Sequence, residues 1–398
     1  MTKTIVQKYG GSSVADVDKI RAVAKLVKAR REEGHRVVVV VSAMGKTTDG
    51  LLQMAAQMAK APPRRELDML LTTGERASAA LMAMALHDVG VDAISFTGSQ
   101  AGIITNATHA GARVLEVRPY RVQDELDGGR VVVLAGFQGV SYAKEITTLG
   151  RGGSDTTAVA LAAALDADCE IYSDVDGVFT SDPRVVPEAV RIESLTHEEM
   201  QELAAAGAKV LNAQAVQFAK SKGIAIFALQ TGVAGAGTVI RKDAPPPVGG
   251  VRGVAHKNVL HRLVSSDLQR LPAMLAFLEQ HQLPVGPILA IANNVEILVP
   301  PEDAHGFQRV CKEAEGFAAG VDVGAVSLVG QGILDDPRLL SDCLRVLAAE
   351  SVDVVGVSTS SFRITFLVPA DPEASGSVGQ VARLLHQRFV KASHVEPA

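Results

Sequence analysis

The chain has 398 residues, 47% of them hydrophobic, and carries a formal net charge of −5 at pH 7. This length exceeds the usual size of a single hydrophobic core, so two or three domains are expected. Because no basic patch or run of Lys and Arg stands out, neither a nucleic-acid partner nor a membrane-surface partner is expected.

The cysteines and the first residues predict the cellular compartment. Cys169, Cys311 and Cys343 are odd in number, far apart and surrounded by apolar residues, which predicts inert core thiols in a reducing compartment. The ten histidines show no HExxH or Cys/His spacing, so no structural zinc site is expected. The start MTKTIVQKYGG has no apolar signal segment, and no apolar run approaches the length of a membrane span. We expect a soluble cytoplasmic protein.

The first predicted unit is a strand, a glycine loop, a helix and a second strand. Residues 5–7 are predicted to form a short strand that leads into the run Lys8-Tyr9-Gly10-Gly11-Ser12-Ser13. Valines and isoleucine then recur at helical spacing until about Gly34. The following RVVVVVSAM predicts a strand buried on both faces, which is typical of a parallel sheet covered by helices. The loop offers two glycines, two hydroxyls and a lysine, as a phosphate cradle would.

Two common nucleotide motifs are excluded by their spacing. The run Gly45-Lys46-Thr47 resembles the end of a P-loop, but the required glycine five residues earlier is Val40. The run Gly150-Arg151-Gly152 would need a third glycine where Asp155 stands to be a dinucleotide fingerprint. A nucleotide, if bound, is therefore held by a different arrangement.

The next predicted helices both open with hydroxyl residues. One begins in GKTTDGLL at residues 45–52, and another begins with Thr72-Thr73-Gly74-Glu75 and continues through ASAALMAMAL. Glu75 could be an ordinary acid of the first helical turn, favoured by the helix dipole. Strands are predicted at residues 92–96 and 130–135, and a small hairpin at 142–148.

Residues 147–184 contain a glycine-rich turn, a helix start, a strand and an acidic loop. Gly150, Gly152 and Gly153 precede an alanine-rich apolar helix at 156–165, which should be buried. Its first amides, with Arg151 and Ser154, suit a carboxylate or a phosphate. Asp155 at the mouth of such an anion site is either a functional acid or only an N-cap. CEIYS then predicts a strand, and DVDGVFTSDP a ligand-binding turn at its carboxyl end.

The C-terminal part of the chain has a different composition. Helices are predicted at 197–206 and 213–221 and a last strand at 224–229, before the linker-like RKDAPPPVGG at 241–250. Beyond it, the order strand, helix, strand occurs twice, without a titratable cluster of catalytic type. This region is expected to sense a ligand or to form a dimer, and a plain oligomerisation appendage is the alternative.

Several motifs occur in one order over about 200 residues: KYGGSS, TTGERASAAL, FTGSQAGI, TTLGRGGSD, SDVDGVFTSDPR and GAKVL. Together they resemble the aspartate kinases of the amino-acid kinase family. The resemblance implies a catalytic domain at residues 1–243 with a mainly parallel sheet sandwiched by helices, a linker at 244–250, and tandem ACT modules of βαββαβ, ferredoxin-like fold at 251–398. The expected fold class is α/β.

The resemblance also implies an activity and partners. The expected reaction transfers the γ-phosphoryl group of ATP, bound with Mg²⁺, to the side-chain carboxylate of L-aspartate in lysine, threonine and methionine biosynthesis. That carboxylate has a pKa near ~3.9 and needs no general base, so charge repulsion is the main obstacle. A homodimer or higher oligomer through the ACT modules is expected, with lysine and threonine as effectors. The alternatives are a sibling kinase acting on glutamate or carbamate, and a catalytically silent amino-acid sensor.

Site residues follow from the matching motif positions. The resemblance assigns catalysis to Lys8, Glu75 and Asp155. It assigns aspartate binding to Ser42, Thr47, Glu75, Arg151 and Ser154, with Arg151 as a carboxylate clamp and Glu75 or Asp155 as acceptor of the substrate ammonium. It assigns ATP binding to Lys8, Tyr9, Gly10, Gly11, Ser12, Ser13, Ser173, Asp174, Phe179, Arg184 and Lys209. Magnesium is expected on the nucleotide oxygens, and no protein metal cage is predicted.

The chain departs from the family at a few positions. Phe179 stands where tyrosine is frequent, and Ser361 where many relatives have an acid. The ACT turns SSDLQRLP and GILDDPRLL lack the proline-glycine pair that holds an effector's backbone groups, and the strand pair at about 285–296 looks short. We therefore expect effector binding to change more than the fold or the dimer.

Overall fold

The structure is a computed structural model that describes residues 3–150, 152–208, 210–233, 235, 237–247, 249–281, 283–301, 304, 306–370 and 376–390. The chain forms two compact units. The first contains residues within 1–179, 191–204 and 209–245, and the second contains residues within 180–190, 205–208 and 246–398. The segment 180–190 thus belongs to the second unit, although both its neighbours in sequence belong to the first. The domain limits at residues 243 and 251 stay a prediction of the sequence.

The helices and strands up to residue 240 follow one another in this order: β1 Thr4–Tyr9, α1 Val17–Glu32, β2 Arg36–Val41, α2 Thr47–Met58, α3 Arg64–Asp88, β3 Ala93–Phe96, β4 Ile103–Thr105, β5 Val114–Val117, α4 Tyr120–Asp127, β6 Val131–Ala135, β7 Gln138–Ser141, β8 Ile146–Thr148, α5 Gly153–Ala164, β9 Asp168–Ser173, β10 Ser194–Leu195, α6 His197–Ala206, α7 Ala213–Lys222, β11 Ile226–Gln230 and β12 Thr238–Ile240.

The main sheet of the first unit has the strand order β10-β12-β11-β9-β1-β2-β6-β3. The pairs from β11 through β9, β1, β2 and β6 to β3 are all parallel, and β12 runs antiparallel to β11. The valines of β2 and β6 are fully buried, as the valine run predicts. The expected α/β class with a mainly parallel sheet is confirmed, and the carboxyl ends of β9, β1, β2 and β6 lie side by side.

The two faces of β1 have different roles. Tyr9 is buried in a core with valines of β2 and β6 and apolar residues of α1 and α3. Because side chains alternate along a strand, Lys8 points to the other face, against which α5 packs. Residues Lys8 and Tyr9 belong to the strand itself, which is longer than the predicted 5–7.

A four-stranded sheet, β5-β4-β7-β8, lies beside the main one. The antiparallel pair β7 and β8 is the predicted hairpin, although it already begins at Gln138. Strands β4 and β5 and helix α4 were not predicted, since each is short. The predicted last strand corresponds to β11, but β12 follows it.

The predicted start of α3 at Thr72-Thr73 is wrong. The helix begins at Arg64, directly after Pro63, and runs to Asp88. Within it, the Oγ1 atoms of Thr72 and Thr73 donate to the carbonyls of Met69 and Leu70, three residues earlier. Hydroxyls that suggest a cap can thus also be satisfied inside a helix.

The second unit contains one antiparallel sheet in the order β14-β15-β13-β16-β18-β17. Its elements are β13 Gly253–Ser265, α8 Leu271–Gln280, β14 Ile288–Ile291, β15 Asn294–Val299, α9 Phe307–Val310, β16 Ala318–Val329, α10 Pro337–Ala349, β17 Gly356–Ser360, β18 Arg363–Pro369 and α11 Val378–Phe389.

Two hydrophobic cores divide this second sheet. One core joins β13 and β15 with α8 and α9, and the other joins β16 and β18 with α10 and α11. The long pair β13 and β16 runs through both, with a register shift between Lys257 and Leu260. Two α/β modules thus share one continuous sheet, as tandem ACT modules require, and the predicted fold class is confirmed here as well.

Candidate active site

The centre of the candidate site is an ion pair between β1 and α5. The Nζ atom of Lys8 lies 2.6 Å from Oδ1 of Asp155, and each side chain is only 11% exposed. The same oxygen makes no well-aligned hydrogen bond, so the contact is mainly electrostatic. A buried cation and anion of this kind are held at the carboxyl end of a central parallel strand, where α/β sheets bind ligands.

Asp155 is not the N-cap of α5. The cap is Gly152, in the left-handed conformation with φ 68°, and its carbonyl accepts from the amides of Asp155 and Thr156. An added Cβ at Gly152 would lie 2.5 Å from the Asn212 side chain, so only glycine fits there. The N-cap alternative is therefore wrong, and the carboxylate of Asp155 is left to pair with Lys8.

The loop after β1 has the form of an anion cradle. The amides of Gly11 and Ser12 have no hydrogen-bond partner among the residues that the structure describes. An added Cβ at Gly11 would lie 2.9 Å from the carbonyl oxygen of Ala43, so the loop and the end of β2 are in close contact. Ser13 Oγ lies 2.7 Å from Thr231 Oγ1, which ties the loop to the end of β11. Free amides next to a lysine suit phosphate oxygens.

Glu75 lies in the middle of α3 and is 4% exposed, so it is not a first-turn acid. Its Oε1 accepts from the amide of Ala43 at 3.2 Å, while Oε2 has no hydrogen-bond partner among the described residues. Burial is the largest cause that raises its pKa from 4.5 to about 7, and the Ala43 amide opposes it. The unpaired oxygen is an acceptor that a bound ammonium group would satisfy.

Replacing Glu75 with glutamine should stabilise the fold at high pH. The folded-state pKa lies above the ordinary one, so between pH 4.5 and 7 the unfolded chain releases the proton first and stability falls as pH rises. A shift of this size corresponds to about 3 kcal/mol. We expect the difference in unfolding midpoint between Glu75→Gln and the unmodified protein to widen from pH 5 to pH 8. A constant difference across this range would show that Glu75 is not strained by its charge.

The other predicted aspartate contacts surround the end of β2 and the start of α5. The Ser42 amide donates to the carbonyl of Tyr9, and Thr47 Oγ1 to that of Met44. Ser154 is 7% exposed, and an added Cβ at Gly136, after β6, would lie 2.8 Å from its Oγ. The structure thus gathers Ser42, Thr47 and Ser154 at the same edge of the sheet as Lys8.

The predicted nucleotide residues are only partly brought together. Ser173 ends β9 and Asp174 follows it, and the Ser173 carbonyl accepts from the Thr231 amide. Phe179 is half-buried, and its backbone pairs with that of Arg191. Tyr9 is stacked on Tyr172 inside the core, so only its backbone reaches the site edge.

Three further predicted residues are placed elsewhere or are not described. Arg184 belongs to the second unit, where its 83% exposed side chain pairs with Asp182. Arg151 and Lys209 lie outside the described residues. Their predicted roles rest on the sequence motifs.

The next features are groups of metal-ligating side chains and the three cysteines. The described residues contain no group of three or more His, Cys, Asp or Glu that could hold a metal ion. Cys169, Cys311 and Cys343 are free and buried, and burial raises the pKa of each thiol. They are inert core residues, as predicted. Within the described residues, no helix is both long and apolar enough to cross a membrane.

A cavity of about 660 Å³ lies elsewhere in the first unit. Its lining residues are Arg76, Thr97, Ser99, Gln100, Ile104, Val140, Ser141, Tyr142, Lys144 and Ile146, none of which is a predicted site residue. One of its lining residues, Arg76, follows Glu75 in the sequence of α3. The candidate site around Lys8, Asp155 and Glu75 is therefore distinct from this cavity.

Sequence reasoning missed two polar residues beside the site. Thr156, in the first turn of α5, is buried with an Oγ1 that has no hydrogen-bond partner among the described residues. Asp68, on α3, is fully buried and accepts several hydrogen bonds. A signal for Asp68 was available, because it stands seven residues before Glu75 and so on the same helix face.

The chain is similar to known proteins over nearly its whole length. The sequence profile of the amino acid kinase family matches residues 3–228. The aspartokinase of Mycolicibacterium smegmatis is 43% identical over 97% of this chain and 96% of its own, and that of Mycobacterium tuberculosis H37Rv is 45% identical over 91% of each. The structure of Escherichia coli aspartokinase III in complex with aspartate and ADP, in its R-state, superposes with a TM-score of 0.80 at 25% identity, covering 98% of this chain and 100% of that one.

Proposed function

The chain belongs to the amino acid kinase family, and from its full-length aspartokinase relatives we infer that it is an aspartate kinase. It transfers the γ-phosphoryl group of ATP to the side-chain carboxylate of L-aspartate and yields 4-phospho-L-aspartate and ADP. This reaction begins the biosynthesis of lysine, threonine and methionine. The observation that carries the assignment within this chain is the buried pair Lys8–Asp155 beside the open amides of the glycine loop.

The proposed mechanism assigns charge neutralisation to Lys8. The attacking carboxylate and the triphosphate are both anionic, so a fixed cation at the point of transfer lowers the barrier. Asp155, 2.6 Å away, holds the ammonium group in one position. The Gly11 and Ser12 amides bind phosphate oxygens. No protein group needs to remove a proton, because the substrate carboxylate is already ionised.

The aspartate molecule is positioned by the residues around β2, α3 and α5. The free Oε2 of Glu75 receives the substrate ammonium, since the carboxylate of Asp155 is already paired. Arg151 clamps a substrate carboxylate with two parallel hydrogen bonds, and Ser42, Thr47 and Ser154 complete the site. Holding the side-chain carboxylate in line with the γ-phosphorus supplies the rest of the acceleration.

Magnesium fits this site only as part of the nucleotide. The described residues offer no carboxylate cage, whereas the glycine loop and Lys8 suit phosphate groups that carry their own cation. Bound Mg²⁺ would supply neutralisation of the phosphate charge. The free, buried state of Cys169, Cys311 and Cys343 supports a reducing compartment such as the cytoplasm as the proposed location.

An ADP-release assay with a panel of acceptor acids tests the function. Aspartate-dependent turnover is the expected result. Turnover with glutamate or carbamate alone would point to a sibling kinase of the same fold. A protein that is silent with every acid, yet binds lysine or threonine, would be a sensor.

We also propose that the second unit forms a dimer, with itself or with a shorter chain that contains only these modules. The edge strands β14 and β17 leave backbone groups unpaired and expose Ile288, Ile291 and Val357. Exposed edges of this kind pair readily with another strand. Effectors at such an interface would shift activity by their different affinities for two states.

Lysine and threonine should inhibit weakly. The position after Pro337 that is glycine in many relatives is Arg338, and its amide already donates to the Asp336 carboxylate at 3.0 Å. That amide is therefore occupied where an effector's backbone group would bind. We expect inhibition only well above micromolar concentrations when lysine and threonine are titrated, singly and together, into the aspartate assay.

The variant Arg338→Gly is the matched control for this prediction. It removes the guanidinium whose Nε and Nη2 atoms hold the Asp336 carboxylate, and it restores the family residue. The carboxylate can then leave the amide of residue 338, so the sensitivity to effectors should increase. Strong inhibition of the unmodified enzyme at micromolar lysine or threonine would contradict the prediction.

A further inference from the structure

Asp68 is a buried carboxylate with no assigned role in the reaction. It lies on α3, is 0% exposed, and both its oxygens accept hydrogen bonds. Thr148 donates through its Oγ1 at 2.6 Å and its amide at 3.2 Å, and the Ala110 amide donates at 3.1 and 3.2 Å. His109 Nδ1 lies 2.8 Å away. A carboxylate with this many partners is held in one orientation.

The partners of Asp68 belong to the segments that precede the glycine turn. Thr148 ends β8, three residues before Arg151, and its carbonyl accepts from the Ala112 amide at 2.8 Å. An ideal Cβ on Gly150 would lie 3.8 Å from the Ala110 carbonyl oxygen, so this loop covers the start of the turn. Asp68 thus ties both the turn's incoming strand and its covering loop to α3.

The same helix face carries Glu75. Seven residues along a helix are two turns, so Asp68 and Glu75 project from one side, about 10 Å apart along the axis. Both are buried. One rigid helix therefore bears the acceptor for the substrate ammonium and the anchor of the strand that leads to Arg151.

We propose that Asp68 is a positioning residue for the aspartate site, which holds Thr148 at the end of β8, and with it the Gly150 that begins the glycine turn, at a fixed separation from Glu75. This inference rests on the proposed function. A clamp made of two parallel hydrogen bonds tolerates little displacement, so a shift of the turn weakens aspartate binding before it affects the nucleotide.

The test compares Michaelis constants in the ADP-release assay. The variant Asp68→Asn keeps the size of the side chain, but its NH₂ group faces the N–H groups of Ala110 or Thr148 and pushes the turn away. We expect the KM for aspartate to rise about tenfold or more, and the KM for ATP to change less than about twofold. Thr148→Val removes one donor and should shift the aspartate KM in the same direction by about threefold.

The control and the contrary outcomes separate positioning from mere stability. Glu66→Gln changes an exposed acid of the same helix, which pairs with Arg65, and should leave both constants unchanged. A merely structural Asp68 would lower the amount of folded enzyme while both constants stayed as in the unmodified protein, and that result would overturn the inference. If Asp68→Asn does not fold, an unchanged aspartate KM in Thr148→Val overturns it. Absence of aspartate turnover in the unmodified enzyme would instead overturn the proposed function, and this inference with it.

Discussion

Replacing Lys8 with methionine should lower turnover about 10²-fold or more and change ATP affinity much less. Methionine keeps the length of the stem but removes the charge that the transferred phosphoryl group meets in the transition state. In the proposed mechanism, the ground-state phosphates would keep the Gly11 and Ser12 amides as hydrogen-bond donors. The measurement is kcat and the ATP KM at saturating aspartate. Unchanged turnover would remove Lys8 from the mechanism.

Two controls are needed for this variant, because Lys8→Met leaves Asp155 buried without its partner. An orphaned buried charge destabilises a fold by about 3–5 kcal/mol. The double variant with Asp155→Asn removes that charge, and should recover the unfolding midpoint without recovering turnover. Lys25→Met, on the exposed side of α1, should match the unmodified enzyme in both respects.

Replacing Arg151 with lysine should raise the KM for aspartate about tenfold to a hundredfold and leave the ATP KM nearly unchanged. Lysine keeps the charge, but it loses the fork that binds both oxygens of a carboxylate, and a charged hydrogen bond contributes about 1.5–3 kcal/mol. The neighbouring Gly150 and Gly152 have φ of 75° and 68°, in the left-handed region that favours glycine.

The matched control is Arg113→Lys, an exposed arginine of the loop near the glycine turn, which should change neither constant. If the constants for aspartate and ATP rose together in Arg151→Lys, the residue would be assigned to the nucleotide or to the structure. A rise in the KM for ATP alone would assign Arg151 to nucleotide binding and contradict its proposed contact with aspartate.

Most strands of the main sheet and the positions of its loops follow from local patterns of the sequence. Runs of valine predict buried parallel strands, glycine clusters predict the turns, and the ordered motifs predict the family, because these signals depend on residues close together in the chain. The same local reasoning failed at α3, where Thr72 and Thr73 resemble a cap but bond to carbonyls inside the helix. A threonine hydroxyl can form a hydrogen bond both at a helix N-cap and inside a helix. Only the surrounding backbone determines which of the two it does.

The chemistry of the site was decided by tertiary structure. Lys8 and Asp155 are 147 positions apart in the chain, and they pair because β1 lies in the middle of the sheet with α5 packed on one face. Burial against β2, not sequence, raises the pKa of Glu75 to about 7, and the folding of three distant segments makes Asp68 an anchor. Residue type alone predicts only that a carboxylate can bind a cation. Solvent exclusion and neighbouring donors determine that Asp155 is paired with Lys8, that Asp68 is fully hydrogen-bonded, and that one oxygen of Glu75 is left without a partner.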